Sequence, residues 1–131
     1  MPEVMILLGS NTLPAAHIRW ASQRLARLLA DVRFSRTLWT EDIHGTGVWY
    51  MNRLAWGRTE LTADELQREL KAAEAETGRN GQHVTIDLDL MLHGGRRYHE
   101  RDWSRNYVRQ LLPDRPAEPE AATRGTGADN A

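Results

Sequence analysis

The chain has 131 residues, of which 40% are hydrophobic and 27% charged, and its formal net charge is -1. This length accommodates one ordinary domain and excludes a second one. The absence of Cys excludes disulfides and thiolate chemistry, and the balanced charge gives no field for nonspecific nucleic-acid binding. Without a long apolar run or a basic leader, we expect a cytoplasmic protein that does not enter the membrane.

The first half of the chain predicts a strand, a helix and two further strands. Residues 3–8 form a short apolar run that ends in a Gly-Ser-Asn turn, which is typical of a buried strand. A helix is predicted from Thr12, as its N-cap, to about Ala30, because apolar residues recur there at helical spacing. Two strands follow, one within residues 32–40 and a longer one over residues 48–59.

The second half predicts a helix, a strand and a helical extension. Thr62 and Glu65 have the spacing of a capping box, which opens a helix that Gly78 ends. Residues 84–92 alternate between apolar and other side chains, as a strand with one buried face does. An amphipathic stretch over residues 100–112 predicts a last helix.

The order of these elements predicts an α+β fold. A ferredoxin-like βαββαβ arrangement places both helices on one face of an antiparallel sheet, with the C-terminal helix as an extension. The other face of the sheet is then expected to lie open. The domain is expected to span residues 1–112, because residues 113–131 are rich in Pro and lack the large apolar residues that would order them, which predicts a disordered tail.

The alternating strand places two carboxylates on the open face of the predicted sheet. Asp87 and Asp89 point away from the helices, and strand geometry separates their Cα atoms by about 6–7 Å. Two such charges need a cation nearby, and Mg²⁺ binds one or two carboxylates together with substrate phosphates and water. The alternative is a solvated outer sheet face, which is the commoner fate of an alternating strand.

An Arg-rich segment follows this strand. Arg97, Arg101, Arg105 and Arg109 recur every fourth residue, so a helix there would align them in one stripe. Such a stripe could clamp phosphates, although a solvated helix face is the commoner explanation.

Three segments together resemble 6-hydroxymethyl-7,8-dihydropterin pyrophosphokinase. They are Leu8-Gly9-Ser10-Asn11, Tyr50-Met51-Asn52, and the segment from Thr85 to Leu92 with its Asp-Leu-Asp-Leu-Met-Leu run. Their order and spacing cover about residues 4–110, and the last segment is the most specific. The resemblance implies a Mg²⁺-dependent diphosphotransferase of folate biosynthesis that transfers pyrophosphate from ATP to the pterin alcohol and releases AMP.

The resemblance also implies the site residues. The implied catalytic residues are Asp87, Asp89 and Arg105, with the two aspartates holding two Mg²⁺ ions. The implied pterin contacts are Thr40, Tyr50, Asn52 and Tyr107. The expected nucleotide contacts are Glu74, Arg79, His83, Leu90 and Arg101. His83, Arg101 or Arg105 could replace a loop cation of the family that this chain lacks.

Departures from the family pattern lie mostly on the ATP side. The loop before the aspartate strand is short, Val84 stands where the family commonly has an Arg, and Glu41-Asp42 replaces a Pro pair. A pterin-binding or nucleotide-binding paralogue with weak or no catalysis is therefore the alternative function. A third alternative is a domain that pairs with proteins through an exposed strand edge. We expect a monomer whose partners are the small-molecule substrates.

Overall fold

The computed structural model describes residues 1–42, 44–78 and 83–117. The strands in these residues are β1 (Glu3–Ser10), β2 (Ala30–Phe34), β3 (Leu38–Glu41), β4 (Trp49–Arg58), β5 (Asp87–His93) and β6 (Arg96–Arg97). The α-helices are α1 (Pro14–Leu28), α2 (Ala63–Glu76) and α3 (Asn106–Leu111), and short 3₁₀ helices span Glu100–Ser104 and Leu112–Asp114. Within these ranges, no helix has the length and apolar character needed to cross a membrane.

The described strands form one antiparallel sheet. Its order is β2-β4-β1-β5-β6, and β3 pairs with the first part of β4 beside β2. The strand predicted over residues 32–40 is therefore interrupted. Ser35 lies at the break and exchanges hydrogen bonds with Leu54, donating its N–H to the carbonyl oxygen and accepting the Leu54 N–H at its Oγ, both at 2.9 Å. The α+β class and the antiparallel sheet agree with the prediction.

The main core lies between the sheet and the first two helices. The predicted capping box of α2 is confirmed, because Thr62 Oγ1 accepts the Glu65 N–H while Glu65 accepts the Thr62 N–H. Both helices bury an apolar stripe against alternate residues of β1 and β5. The buried residues that meet there include Val4, Ile6, Leu8, Ile18, Leu25, Leu66, Leu70, Ile86, Leu88 and Leu90.

The N-cap predicted for α1 is wrong. Leu13 occupies the N-cap with a left-handed backbone (φ 42°), and no side chain caps the helix. The Thr12 hydroxyl instead donates to Asn11 Oδ1 at 2.7 Å. Thr12 thus lies one residue before the N-cap, in the turn after β1.

The opposite face of the sheet is not fully open, contrary to the prediction. Val108 and Leu111 of α3 are buried against a second apolar cluster on that face, which contains Met5, Leu7, Leu54, Trp56 and Met91. Trp103 and Tyr107 pack against the same cluster. The C-terminal segment thus covers part of the face and leaves the remainder exposed.

A register shift in β5 corrects the prediction for Leu92. Ile6 of β1 pairs with Leu90 while Met5 pairs with Leu92, so Met91 is an extra residue. A bulge of this kind ends the strict alternation of faces. Leu92 therefore packs with the second cluster rather than beneath the helices.

The first residues of the predicted tail contact the sheet. Asp114 pairs with Arg36 at 3.3 Å, and Arg115 pairs with Glu3. Contacts with the rest of the domain thus extend to Arg115, three residues past the predicted limit at 112. Residues 118–131 lie outside the described residues.

Candidate active site

A cavity of about 290 Å³ lies on the part of the sheet face that α3 leaves exposed. The central strands form its floor, and the segments after β3 and β6 form its walls. Its lining residues are Leu7, Gly9, Thr40, Glu41, Asp42, His44, Tyr50, Asn52, Asp87, Asp89, Asp102 and Tyr107.

Strand register builds the floor of the cavity. Gly9 of β1 pairs with Asn52 on one side and with Asp87 on the other. Because directly opposed residues of an antiparallel pair point to the same face, the amide and the carboxylate flank Gly9. In the next row that faces the cavity, Leu7 pairs with Asp89. A Cβ at Gly9 would lie 3.4 Å from Asn52 Oδ1, so the glycine keeps the floor between the flanking groups open.

Asn52 is a buried amide with a fixed orientation. Its side chain is on β4, the residue is 5% exposed, and Nδ2 donates to Thr40 Oγ1 at 2.8 Å. This hydrogen bond uses one of the two amide protons. The other proton and the carbonyl oxygen can present a donor and an acceptor to a bound molecule.

Two tyrosines contribute aromatic surface to the cavity. Tyr50 lies beside Asn52 on β4, and Tyr107 reaches the cavity from α3. Burial, followed by the negative charge of Asp102, raises the pKa of the Tyr107 phenol above its ordinary value of 10.0. The phenol is therefore neutral at physiological pH, which suits contact with a flat heteroaromatic ring.

Asp87 and Asp89 both face the cavity, as the alternating sequence predicts. Burial, followed by repulsion from Asp87, raises the pKa of Asp89 to about 6. His99 opposes this shift, and its Nε2 lies 4.0 Å from Asp89 Oδ1. A bound cation would therefore strongly stabilise the ionised form of both carboxylates.

The other charged residues that line the cavity are also acidic. Glu41, Asp42 and Asp102 also line it, and among the described residues its lining contains no Lys or Arg. An anionic ligand such as a triphosphate would meet five carboxylates there. Such a ligand therefore needs accompanying cations, so the donor set fits oxygen-seeking divalent ions.

The carboxylates do not form a complete metal cage. Within the described ranges, no group of three or more His, Asp or Glu side chains is arranged to hold a metal ion. Mg²⁺ commonly uses one or two carboxylates and completes its coordination with phosphates and water. Asp87 and Asp89 match that mode rather than an all-protein site.

Glu41 and Asp42 also order the loop at the rim of the cavity. Asp42 Oδ1 accepts the Thr46 N–H at 2.8 Å, and Glu41 Oε2 accepts the Gly47 N–H at 3.1 Å. The bond from Thr46 is the main cause of a lowered pKa at Asp42. Glu41 and Asp42, which stand in the place of a Pro pair noted in the sequence analysis, therefore shape the loop.

The predicted Arg stripe does not form. The segment expected as one helix over residues 100–112 is split into a 3₁₀ helix (Glu100–Ser104) and α3. The Arg residues at every fourth position therefore do not share one helix face. Arg97 instead stacks on Trp103, with its guanidinium carbon 4.0 Å from the ring centroid. Arg105 Nε pairs with Asp102 Oδ1 at 3.3 Å.

Of the remaining predicted site residues, those that the structure describes do not line the cavity. His83 and Arg101 are exposed, and Arg79 lies outside the described residues. Leu90 is 2% exposed in the core beneath the helices, on the opposite face of β5 from the aspartates. Glu74 is buried on α2, where its Oε2 accepts the Leu88 N–H at 2.7 Å.

Several cavity residues carry no clear signal in the sequence. Asp102 reaches the cavity because the chain turns at His99, which has a left-handed backbone (φ 55°). Neither the turn nor its direction follows from periodicity. The proximity of His99 to Asp89 depends on the same turn, and His44 lies on a loop whose course the sequence does not define.

One comparison with known proteins identifies a family. The family model described as 7,8-dihydro-6-hydroxymethylpterin-pyrophosphokinase (HPPK) matches residues 5–115. The match includes every described residue that lines the cavity. No curated protein matches the chain.

Proposed function

The chain belongs to the 7,8-dihydro-6-hydroxymethylpterin-pyrophosphokinase family, and from this membership we propose that it transfers pyrophosphate from ATP to 6-hydroxymethyl-7,8-dihydropterin in folate biosynthesis. In this reaction the pterin alcohol releases its proton to water and its oxygen bonds to the β-phosphorus of ATP. The bond from that phosphorus to the α,β-bridging oxygen breaks, and AMP leaves.

The observation that carries the proposal is the row across the cavity floor. Asn52, Gly9 and Asp87 lie side by side, and Asp89 follows in the next row. A hydrogen-bonding amide is thereby one glycine away from a pair of carboxylates. This spacing suits a substrate with a flat polar ring at one end and a phosphate-accepting alcohol at the other.

The ring would bind at the Asn52 end. The amide, fixed by Thr40, offers a donor and an acceptor to the mixed polar edge of a pterin. Tyr50 and Tyr107 would contact the ring as aromatic walls. These contacts would fix the ring in orientation and direct its hydroxymethyl group toward the aspartates.

Asp87 and Asp89 would hold two Mg²⁺ ions at the other end. When bound, Mg²⁺ neutralises phosphate charge and stabilises the attacking and leaving oxygens of a phosphoryl-type displacement. The protein's part is to present the two carboxylates from one rigid strand. This role matches their shared face and the raised pKa of Asp89.

Arg105 is the phosphate-contacting cation that we favour. Its Nε is engaged by Asp102 at 3.3 Å, and the opposite charges of Asp102 and Arg105 both influence the pKa of Tyr107, a cavity residue. Pairing through Nε leaves the terminal nitrogens available for phosphate oxygens. His83 and Arg101 are further candidate phosphate contacts that a bound nucleotide would have to bring closer. Arg79 is a third candidate and lies outside the described residues.

The proposed enzyme is a monomer with a ferredoxin-like arrangement. If β2 and β3 are taken as one interrupted strand, the sheet order and the antiparallel pairings support that arrangement.

The direct test is an assay of the full chain with ATP, Mg²⁺ and the pterin alcohol, in which AMP formation is measured. AMP that appears only when pterin and Mg²⁺ are both present would support the proposal. A folded protein that makes no AMP at any Mg²⁺ concentration would reject it. In that case, calorimetric binding of pterin would identify the binding paralogue instead.

A graded substitution at Gly9 tests the cavity floor. Gly9→Ala adds a Cβ at an ordinary contact distance from Asn52, so we expect the pterin KM to stay within about threefold of the parent value. Gly9→Val adds two further methyl groups between Asn52 and Asp87, and we expect at least about a 30-fold weaker pterin affinity, because the added volume displaces the ring.

Calorimetric titration of both variants with pterin measures this difference, and circular dichroism checks their folding. The valine suits an extended strand, so loss of the fold is not expected. Equal pterin affinity of the Val variant and the parent would show that the ring binds elsewhere.

A further inference from the structure

Glu74 is a buried carboxylate at the boundary between α2 and β5. It is 8% exposed and belongs to the inner face of the helix, together with Leu70 and Ala73. Its Oε2 accepts a hydrogen bond from the Leu88 N–H at 2.7 Å. At 2.7 Å this bond lies at the short end of the range for a backbone N–H donor.

The position of Leu88 gives this bond its importance. Leu88 lies between Asp87 and Asp89, and its side chain is buried in the core between sheet and helices. Among the described residues, β6 pairs only with Leu92 and His93, so no strand covers the outer edge of β5 beside Leu88. Glu74 supplies the acceptor that a neighbouring strand would otherwise provide.

We propose that Glu74 is a positioning residue that orients the aspartate pair by holding the backbone between Asp87 and Asp89. The inference rests on the proposed role of the two aspartates, and it replaces the direct nucleotide contact that the family resemblance implies for Glu74. The side chain of Leu88 anchors the peptide on the core side, and Glu74 anchors its N–H. With both held, the flanking carboxylates leave the strand in fixed directions.

The proposed role depends on the length of the side chain at position 74 more than on its negative charge. A Gln at this position keeps the length and an accepting oxygen, whereas an Asp keeps the charge but is one methylene shorter. Glu74→Gln should therefore preserve the hydrogen bond to Leu88, and Glu74→Asp should break it. A nucleotide contact that depends on the negative charge would show the reverse order.

The first measurement is the hydrogen-exchange rate of the Leu88 amide, which NMR detects in a sample that contains EDTA. We expect exchange at least about tenfold faster in Glu74→Asp and within about threefold of the parent in Glu74→Gln. The second measurement is the Mg²⁺ affinity in the presence of α,β-methylene-ATP. Mg²⁺ binding should weaken about tenfold in Glu74→Asp and stay within about threefold in Glu74→Gln, as changes behind metal ligands commonly do.

Glu69, an exposed residue of the same helix, provides the matched control. Glu69→Gln and Glu69→Asp should change neither measurement. If Leu88 exchange is unaltered in both Glu74 variants, or if Glu74→Gln is the more damaging one, the inference is wrong. If the parent binds no Mg²⁺ but Leu88 exchange follows the expected order, the metal-dependent function fails while the backbone contact stands.

Discussion

Replacing Asp89 with Asn should lower kcat by at least about 10³-fold, because removing a metal-binding carboxylate removes charge neutralisation from the reaction. Asp87→Asn should have a similar effect. The AMP assay measures both losses. Asp31→Asn is the matched control, since Asp31 is exposed and its left-handed backbone (φ 52°) tolerates Asn.

Asp89→Asn should also stabilise the metal-free protein at neutral and higher pH. The pKa of Asp89 is about 6 in the folded chain against an ordinary value of 3.8. The folded state therefore binds more protons between these values, so stability falls as the pH rises through this window. Above pH 6 the ionised carboxylate costs up to about 3 kcal/mol, since one pKa unit corresponds to about 1.4 kcal/mol.

Asp89→Asn removes that cost. Urea unfolding in EDTA at pH 8 should show the variant more stable than the parent, and the difference should disappear near pH 3.5. Saturating Mg²⁺ with an ATP analogue should reverse the order, because only the parent gains the full binding energy. A variant that is less stable than the parent at pH 8 in EDTA would contradict the raised pKa that burial and Asp87 give Asp89.

Replacing Asn52 with Leu should reduce kcat/KM by at least about 10²-fold, because a buried site built for hydrogen bonds loses both its donor and its acceptor. Leu has a similar volume, so the cavity should not collapse. The loss should appear mainly in pterin affinity, with MgATP affinity little changed. Steady-state kinetics with each substrate varied in turn separates the two.

Two further substitutions give this prediction its controls. Thr40→Val removes the acceptor of the 2.8 Å bond that orients the amide, and we expect about a tenfold loss, smaller than that of Asn52→Leu. Met51→Leu changes the adjacent buried residue, whose side chain packs on the helix side of the sheet, and should leave kinetics unchanged. Unaltered pterin affinity in Asn52→Leu would remove Asn52 from the substrate site.

Hydrophobic periodicity predicted the strands and helices in which one repeating pattern of apolar residues extends over the whole segment. The alternation of residues 84–92 placed Asp87 and Asp89 on one face, and Gly9 and Asn52 meet them there through the antiparallel register. The two helices followed from their apolar stripes and from the capping box at Thr62. In these segments the local pattern and the tertiary packing agree.

The predictions that failed depend on events at single residues. The bulge at Met91 turns Leu92 to the other face, and Ser35 interrupts a strand that the pattern left continuous. Periodicity carries no information about an inserted residue or a side chain that substitutes for a backbone partner.

The walls of the cavity were the least predictable part of the site. Asp102 and Tyr107 reach it because the segment after β6 breaks into two short helices and folds back over the sheet. The regular Arg spacing suggested one continuous helix instead. Contacts of this kind depend on the packing of Val108 and Leu111 against the sheet, which composition and spacing do not reveal.

The most direct test of the site is anomalous scattering from a crystal of the chain grown with Mn²⁺, α,β-methylene-ATP and 6-hydroxymethylpterin. The account predicts Mn²⁺ within bonding distance of both Asp87 and Asp89, with the nucleotide phosphates on the same ions and the pterin ring beside Asn52. Mn²⁺ held by the phosphates alone, with both carboxylates out of contact, would contradict it.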